Sequence, residues 1–353
     1  MHLILAINPG STSTKIGLFE DEHCVVKKTL RHSVEETSPD LDREEQARFR
    51  RKAILDFMAA ENITPIRLSA FVVRGGLLKP LESGTYLVDD NIYSDLVTAK
   101  YGWHASNLGS IIALPLAREA GIAVYTVDPV TVDEFHTPAR YSGLAGVPRL
   151  SMSHALNMKA VALRMAEILN RPYNEINLVV VHLGSGISVS AHRRGRMIDV
   201  NNANEEGPFS LERCGTLPAL ALVRLCFSGK YDQIGITRLL TSGGGLFSYL
   251  GSKDFTEIEK TIRSGKKEAG EAVEAMAYQV AKEIGAMSAA LDGNVDRIVL
   301  TGGMANSQLL TGLIISKVSF IAEVAVIPGE EELEALAAGA LRVLQGETEA
   351  LIY

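Results

Sequence analysis

The chain has 353 residues, of which 46% are hydrophobic and 22% are charged, a composition typical of an ordinary soluble globular protein. Two domains are the natural expectation for this length, because a single hydrophobic core rarely grows so large. The net charge of −7 argues against general binding to nucleic acid or to an anionic membrane, since both need a basic surface. Any polyanionic ligand is therefore expected to meet its positive partners in one small region.

A cytoplasmic location is predicted from the N-terminus and from the cysteines. The N-terminal apolar run is too short for a signal peptide, and no stretch approaches the roughly 18 uncharged apolar residues of a membrane helix. The three cysteines, Cys24, Cys214 and Cys226, form no C-x-x-C pair. Their number and spacing fit a reducing compartment and exclude both a disulfide framework and a cysteine zinc site.

The first part of the chain is predicted to form three strands joined by tight turns, followed by alternating helices and strands. In chain order we expect strands over 3–8, 14–19 and 24–30, a helix over 41–60, a strand over 71–73, a helix over 106–120 and a strand over 122–127. The tripeptide Ser38-Pro39-Asp40 is a typical signal for the start of the first of these helices.

The same layout begins again in the second half of the chain. Strands are expected over 178–183, 187–192 and 197–200, with a Gly/Ser loop over 184–186. Each half thus contains a strand, a Gly/Ser loop, an alternating strand and a polar turn. This repetition predicts a duplicated domain rather than a solenoid, which needs at least three repeats. The alternative is that two unrelated β-meanders look alike by chance.

The last part of the chain is predicted to contain a helix over 271–291, a strand over 298–300 and a final helix over 332–344. One face of the first of these helices is apolar and is expected to be core, with Val273, Met276, Val280, Ile284 and Met287 at helical spacing. The alternation of strands and helices predicts α/β domains with helices packed against mixed sheets. A domain boundary is expected near 147–151.

Three loops with glycine follow predicted strands, over 8–15, 182–186 and 300–303. Glycine lets a backbone turn sharply and bring its N–H groups close to a phosphate. The first loop lacks the second glycine of a P-loop and the second lacks the third glycine of a dinucleotide loop, and a strand follows where those motifs need a helix. Each loop alone is explained as well by a hairpin turn. Their occurrence at the same point of a repeated unit favours a phosphate clamp split between two domains.

Polar residues also stand where predicted strands end, namely Arg74, Asp128 and His182. Ligand sites in open α/β sheets collect at such carboxyl ends, so one site is expected to gather these residues. A surface salt bridge or a loop histidine is the alternative explanation for any one of them.

Ordered blocks of sequence along the full length resemble one known family. The blocks are INPGSTSTKIGLF at 7–19, RGGLLKP at 74–80, HASNLG at 104–109, VDPVTVDEF at 127–135, SHALNMKA at 153–160, HLGSGISV at 182–189, DVNNANEEGPFSLERCGTLP at 199–218, LTGGMA at 300–305 and PGEEELEALA at 328–337. They are similar to the acetate kinase family, and within it to the butyrate kinases. The family belongs to the wider superfamily of sugar kinases, actin and heat-shock chaperones.

The resemblance implies an α/β fold of two duplicated actin-like, ribonuclease H-like domains, with mixed sheets flanked by helices and a nucleotide cleft between the domains. The N-terminal domain is expected over 1–148 plus 334–353, with the last helix returning to it, and the C-terminal domain over 149–333. The implied partners are ATP or ADP with Mg²⁺, and a short-chain fatty acid or its acyl phosphate. A homodimer or a higher homo-oligomer is implied as well.

The resemblance also implies the roles of individual residues. The transferring phosphoryl group would face Asn8, Ser11, Ser13 and Lys15, and the second clamp would consist of His182, Gly184, Ser185 and Gly186. The nucleotide site would include Asp254, Gly302 and Gly303, and the magnesium site Glu331. The catalytic residues would be Arg74, Asp128, His154 and Arg213, with His104 in support.

Two positions depart from the family's pattern. Acetate kinases place three residues between the active arginine and the following Gly-Gly, whereas here Arg74 is followed directly by Gly75-Gly76. Ser185 stands where acetate kinases have asparagine, so the backbone clamp is retained and one amide contact to phosphate is lost.

The implied reaction is direct in-line transfer between ATP and butyrate, in either direction. Phosphoryl transfer depends on alignment and charge neutralisation, and a carboxylate with a pKa near 4.3 needs no general base at pH 7. With a hydroxyl acceptor, as in sugar kinases, Asp128 would instead be a general base. Isobutyrate, propionate or another short acid is an alternative substrate, because one methylene group is worth only about 1–3 kcal/mol. A non-catalytic, nucleotide-switched, chaperone-like binding protein is the alternative from another class.

Overall fold

The computed structural model describes residues 1–33, 36 and 41–353. The chain forms two compact units, the first of Met1–Val132 with Glu331–Tyr353 and the second of Asp133–Glu330. Within the described ranges no helix is long and apolar enough to cross a membrane. The predicted helix-start signal Ser38-Pro39-Asp40 lies outside the described residues.

The first unit is built on a six-stranded mixed sheet. Its strands are β1 (Leu3–Pro9), β2 (Ser13–Glu20), β3 (His23–Arg31), β4 (Ala70–Arg74), β5 (Thr85–Leu87) and β6 (Ala123–Val127), in the spatial order β3-β2-β1-β4-β6-β5. The first three strands are antiparallel neighbours, whereas β1, β4 and β6 run parallel. Strand β1 is buried from Ile4 to Asn8, which explains its continuous apolar run.

Helices cover this sheet. They are α1 (Arg43–Ala60), α2 (Asp90–Val97), α3 (Leu108–Ala120) and the C-terminal helix (Glu332–Leu344). Asp42 caps α1 by accepting a hydrogen bond from the Glu45 N–H at 2.7 Å. The C-terminal helix approaches β6 closely at Gly339, where a Cβ would stand 2.6 Å from a methyl group of Val127. Only glycine fits this contact, which brings the middle of the helix close to the sheet.

The second unit has a five-stranded sheet with the same connectivity. Its strands are β7 (Asn177–Leu183), β8 (Ile187–Arg193), β9 (Arg196–Val200), β10 (Arg297–Thr301) and β11 (Val324–Val326). The spatial order β9-β8-β7-β10-β11 repeats the order β3-β2-β1-β4-β6 of the first sheet. The antiparallel and parallel pairings also correspond. The predicted α/β fold with two duplicated mixed sheets is therefore confirmed.

Seven helices of the described chain belong to the second unit. They are α4 (Ala155–Ile168), α5 (Ala219–Cys226), α6 (Gln233–Ser242), α7 (Gly245–Leu250), α8 (Phe255–Arg263), α9 (Lys267–Ala290) and α10 (Gln308–Val318). The apolar stripe predicted on α9 is buried in the core with the sheet residues of this unit, so its assignment as core is confirmed. The helix begins four residues earlier than the expected 271, at Lys267.

The segment 133–150 belongs with the second unit, whereas the sequence placed 133–148 with the first. Arg149 ties this segment to the second sheet. Its guanidinium group pairs with Asp199 and Glu206, each at 2.9 Å, and donates to the carbonyl of Ala139 at 2.8 Å. An arginine that bridges two carboxylates and a main-chain carbonyl fixes the segment against the edge strand β9.

His192 in β8 is fully buried in a hydrogen-bonded chain of side chains. Its Nδ1 lies 2.6 Å from the Tyr173 hydroxyl and its Nε2 lies 2.7 Å from the Ser190 hydroxyl, which donates to the carbonyl of Val180. This hydrogen-bond network requires a neutral His192 imidazole with its proton on Nε2. Burial, with a smaller contribution from the charge of Lys159, holds the pKa of His192 well below its usual value of 6.5.

We expect acid to destabilise the protein through His192. As the pH falls below about 6.5, the unfolded chain binds a proton at this position and the folded chain does not, so stability is lost by up to roughly 1.4 kcal/mol per pH unit. The free energy of unfolding of the wild type should fall more steeply between pH 6.5 and 5 than that of His192→Gln. Denaturant titrations at several pH values measure both slopes, and equal slopes would contradict the prediction.

Candidate active site

The first predicted phosphate loop connects β1 to β2. The strand register places Asn8 directly opposite Lys15, and the turn is closed by a 2.7 Å hydrogen bond from the Gly10 N–H to the carbonyl of Ser13. Asn8 is buried, whereas Ser11 is exposed. The four residues predicted to face the phosphoryl group, Asn8, Ser11, Ser13 and Lys15, thus belong to one hairpin.

The carboxyl ends of three parallel strands meet beside this hairpin. Asn8 stands near the end of β1, Arg74 ends β4 and Asp128 follows β6. The register pairs Arg74 with Val127, so Asp128 follows the residue beside Arg74. The structure therefore places these predicted residues on one edge of the first sheet, as expected for an α/β ligand site.

Asp128 is held in an unusual backbone conformation at this edge. Its φ is 38°, in the left-handed region that is uncommon for residues other than glycine. Its Oδ1 accepts hydrogen bonds from the hydroxyl of Ser83 at 2.7 Å and the N–H of Gly84 at 2.8 Å. Such strain persists where the surroundings fix it, and it often marks a functional residue.

A buried carboxylate that the sequence analysis missed links two predicted site residues. Glu332 accepts a hydrogen bond from the Asn8 side-chain amide at 2.5 Å and pairs with the Arg74 guanidinium at 2.8 Å. Its neighbour Glu331, the predicted magnesium residue, is exposed. The signal in the sequence was the phase of the C-terminal helix, because Glu332 shares its inner face with the buried Leu336.

We expect Glu332→Gln to lower kcat about 10-fold. The substitution keeps the shape but removes the negative charge that compensates a largely buried arginine, so Arg74 and Asn8 lose their fixed positions. Glu334→Gln is the matched control, because its carboxylate forms a surface pair with Lys27. Steady-state kinetics measure both variants, and a Glu332→Gln enzyme with wild-type kcat would refute this role.

The second predicted phosphate loop connects β7 to β8 and is tied to the turn that carries Arg213. The Gly184 N–H donates to the carbonyl of Gly186 at 3.1 Å. The Ser210 hydroxyl donates to the carbonyl of Ser185, and the Ser210 N–H donates to the carbonyl of Arg213 at 3.0 Å. The loop and the arginine therefore form one connected group.

Arg213 packs directly against Gly186. A Cβ on Gly186 would overlap Nη1 of the guanidinium and stand 2.7 Å from its Cζ. Burial lowers the pKa of Arg213, with a small opposing effect of Glu212, but arginine remains protonated at neutral pH. None of the described residues forms an ion pair with it. A largely buried guanidinium without a carboxylate partner is a strong candidate for binding an anionic ligand.

Two predicted histidines form a stacked pair in the second unit. The rings of His154 and His182 have centroids 3.8 Å apart and are inclined by 10°. Asn157 accepts from Nδ1 of His182 at 2.8 Å, and Ser188 lies 3.0 Å from Nδ1 of His154. Nε2 of His182 is 3.2 Å from Glu330, without the alignment of a hydrogen bond. The stack fixes both rings, and Nε2 of His182 faces the second loop, where a Cβ on Gly184 would stand 2.8 Å from it.

A pocket of about 440 Å³ in the second unit brings several predicted nucleotide residues together. The predicted residues in its wall are Gly184, Ser185, Asp254 and Gly303. Asp254 also caps α8 by accepting a 2.8 Å hydrogen bond from the Thr256 N–H. Gly302 has a φ of 90°, and a Cβ there would collide with the backbone of Leu183. The pocket includes two carboxylates absent from the sequence prediction, Glu259 and Glu330.

Among residues 1–33, 36 and 41–353, no three His, Cys, Asp or Glu side chains lie together as a metal cage. A magnesium ion that accompanies a nucleotide takes most of its ligands from phosphate and water and needs only one or two carboxylates. The exposed carboxylate of Glu331 at the start of the C-terminal helix fits this chemistry. The Nδ1 atom of His104, the predicted supporting histidine, accepts a hydrogen bond from the Ser106 N–H at 3.2 Å.

Comparison with known proteins places the chain in a family and identifies structures with a similar fold. The model of the acetokinase family matches residues 125–332. Acetate kinase from Porphyromonas gingivalis has a TM-score of 0.79 at 20% identity, with 96% of this chain and 99% of that chain covered. A propionate kinase from Francisella tularensis subsp. tularensis SCHU S4 has a TM-score of 0.75 at 19% identity, covering 96% and 99%. Acetate kinase from Entamoeba histolytica has a TM-score of 0.75 at 17% identity, covering 99% of each chain. These structures share the fold of the chain.

Proposed function

The chain belongs to the acetokinase family, and we propose that it is a short-chain carboxylate kinase that transfers the γ-phosphoryl group of ATP to butyrate, reversibly. The observation that carries this proposal is the guanidinium of Arg213, largely buried against the second glycine loop and without an acidic partner in the described chain. Two proteins of similar fold, an acetate kinase and a propionate kinase, act on the same class of acceptor.

In the proposed reaction an oxygen of the carboxylate attacks the γ-phosphorus of ATP. The new bond joins that oxygen to phosphorus, the bond between phosphorus and the β,γ-bridging oxygen breaks, and ADP leaves with the electron pair. The nucleophile is already ionised at neutral pH, so no residue has to remove a proton. The principal barrier is repulsion between two anions, which an unpaired arginine offsets.

Arg74 and Arg213 are proposed to contribute differently to phosphoryl transfer. Arg74 is paired with Glu332, so its net charge is largely compensated and it acts mainly by holding ligand oxygens in place. Arg213 supplies an uncompensated positive charge, and we assign it the larger share of transition-state stabilisation. Asp128 lies at the strand edge beside Arg74, where we propose that it orients polar groups of the acceptor side.

We propose that the second unit binds the nucleotide in the 440 Å³ pocket. The glycine loop 184–186 would lie against the phosphates, with His182 bordering it. Asp254 and Gly303 line the remainder of the pocket, and Gly302 lets the chain pass close to the backbone of Leu183. Mg²⁺, held by Glu331 when bound with the nucleotide, would supply positive charge to the phosphate oxygens. The location in the cytoplasm and the assembly into a homo-oligomer stay predictions.

A panel of acceptors tests the proposal. Purified protein is given ATP and Mg²⁺ with butyrate, isobutyrate, propionate, acetate or glycerol, and acyl phosphate is trapped as the hydroxamate. We expect acyl phosphate from the acids, with the highest kcat/KM for butyrate, and no glycerol-dependent release of ADP. A higher value for isobutyrate or propionate would replace butyrate as the substrate. Hydrolysis of ATP without acyl phosphate would overturn the carboxylate kinase assignment.

A further inference from the structure

We propose that Arg50 is a positioning residue for phosphoryl transfer, which holds the first glycine loop from behind so that two backbone N–H groups face the phosphate. The inference rests on the proposed function of this loop. Arg50 lies on α1, outside every sequence block that resembles the family, and touches the loop from the protein interior.

Among the described residues, the hydrogen bonds of Arg50 go to the back of the loop. The residue is 1% exposed, and its Nη2 donates to the carbonyl oxygens of Gly10 at 3.2 Å and Ser11 at 3.0 Å. Its Nε and Nη1 are buried and have no hydrogen-bond partner among the residues that the structure describes. The guanidinium thus lies one peptide layer behind the loop, with most of its donors unused.

The contacts of Arg50 with the two carbonyls determine the direction of the N–H groups in the loop. In a trans peptide the C=O and N–H groups point in opposite directions. With the carbonyls of Gly10 and Ser11 directed inward to Arg50, the N–H groups of Ser11 and Thr12 are directed outward. Neither N–H has a partner within the described ranges. Successive outward N–H groups form an anion-binding concavity.

A second contact fixes the other side of the turn. The His32 N–H donates to the carbonyl of Thr12 at 3.0 Å, and the His32 ring lies 2.8 Å from the Thr14 hydroxyl. Every carbonyl from Gly10 to Ser13 therefore has a partner within the protein. The loop is prepared to bind an anion before the ligand arrives, which lowers the cost of reorganisation.

The energetics favour a functional reason for Arg50 over a structural one. Burial of a cation without a carboxylate in ion-pair contact is unfavourable, and burial accordingly lowers the pKa of Arg50, against a smaller opposing effect of the charge of Glu36. An apolar side chain of similar length would serve packing at no such cost. The positive charge of Arg50 would stabilise an anion bound on the far side of the same peptides. Its electrostatic field crosses a buried layer of protein in which solvent screening is weak.

Arg50→Met tests this role, with Arg48→Met as the matched control on the exposed face of the same helix. We expect Arg50→Met to lower kcat roughly 10-fold, with the KM of the acid within about twofold of wild type. Its melting temperature should stay equal to or above that of the wild type, since an unpaired buried charge is removed. Arg50→Lys, which keeps the charge, should recover part of kcat.

A residue that served folding alone would give the opposite pattern. If Arg50→Met melts well below wild type while kcat per folded molecule is unchanged, the inference is wrong. If Arg50→Met fails to fold, Arg50→Lys is the deciding variant. A kcat equal to that of the wild type in Arg50→Lys would show that the guanidinium is not needed to hold the two loop carbonyls, and the inference would be wrong. If the wild type proves inactive with every acid, the proposed function fails separately, and calorimetric binding of ATP to wild type and Arg50→Met still tests the loop: equal affinities overturn the inference.

Discussion

Replacement of Arg213 by alanine is expected to lower kcat by roughly 10²–10³-fold, the effect typical of removing one transition-state charge stabiliser. The guanidinium is largely buried beside the second glycine loop and has no carboxylate partner in the described chain. No carboxylate of the described chain neutralises it by direct contact, so its positive charge is available to the anions that react. Steady-state kinetics with ATP and the preferred acid measure the loss.

A lysine variant separates charge from geometry at this position, and an alanine variant of another arginine serves as the control. Arg213→Lys keeps the charge but not the bidentate fork, so it should recover only part of the lost rate. Arg224→Ala removes an exposed arginine from the nearby segment α5 and should leave kcat at the wild-type value. Near-normal turnover of Arg213→Ala would remove the main support for the proposed mechanism.

The fold was predictable from the sequence where the local pattern is strong. The buried strands β1 and β7, the stripe on α9 and the C-terminal helix from Glu332 to Leu344 all follow from hydrophobic periodicity. The repeated strand–loop–strand layout predicted two related sheets. The short strand β5 (Thr85–Leu87) was missed because three residues carry no period, and its pairing with β6 defines it.

The site was harder to predict because its contacts join residues far apart in the chain. Glu331 and Glu332 are identical neighbours, and only the phase of the helix on the sheet decides which of them is buried against Arg74. Arg50 contacts Ser11 across 39 residues, and the residues of its own helix give no indication of this. Local patterns fix the elements, whereas these partners depend on how the elements pack.

Gly186→Ala is expected to lower kcat roughly 10²-fold, although the added methyl group carries no charge. The new Cβ would occupy the space of the Arg213 guanidinium, and a displacement of about 1 Å in a positioned catalytic group costs on this order. The backbone of Gly186 does not require a positive φ, so the effect should be steric and local. Thermal unfolding should show a folded protein with reduced turnover.

A double-mutant cycle decides whether the loss runs through Arg213. If the methyl group acts by displacing the guanidinium, Gly186→Ala should have little further effect in the Arg213→Ala background, because the side chain that it displaces is then absent. Gly285→Ala is the control, since its Cβ would meet nothing within 4 Å and an alanine suits the helix α9. Additive losses would mean that Gly186 acts on phosphate binding through its own backbone, and that the second loop and Arg213 contribute independently.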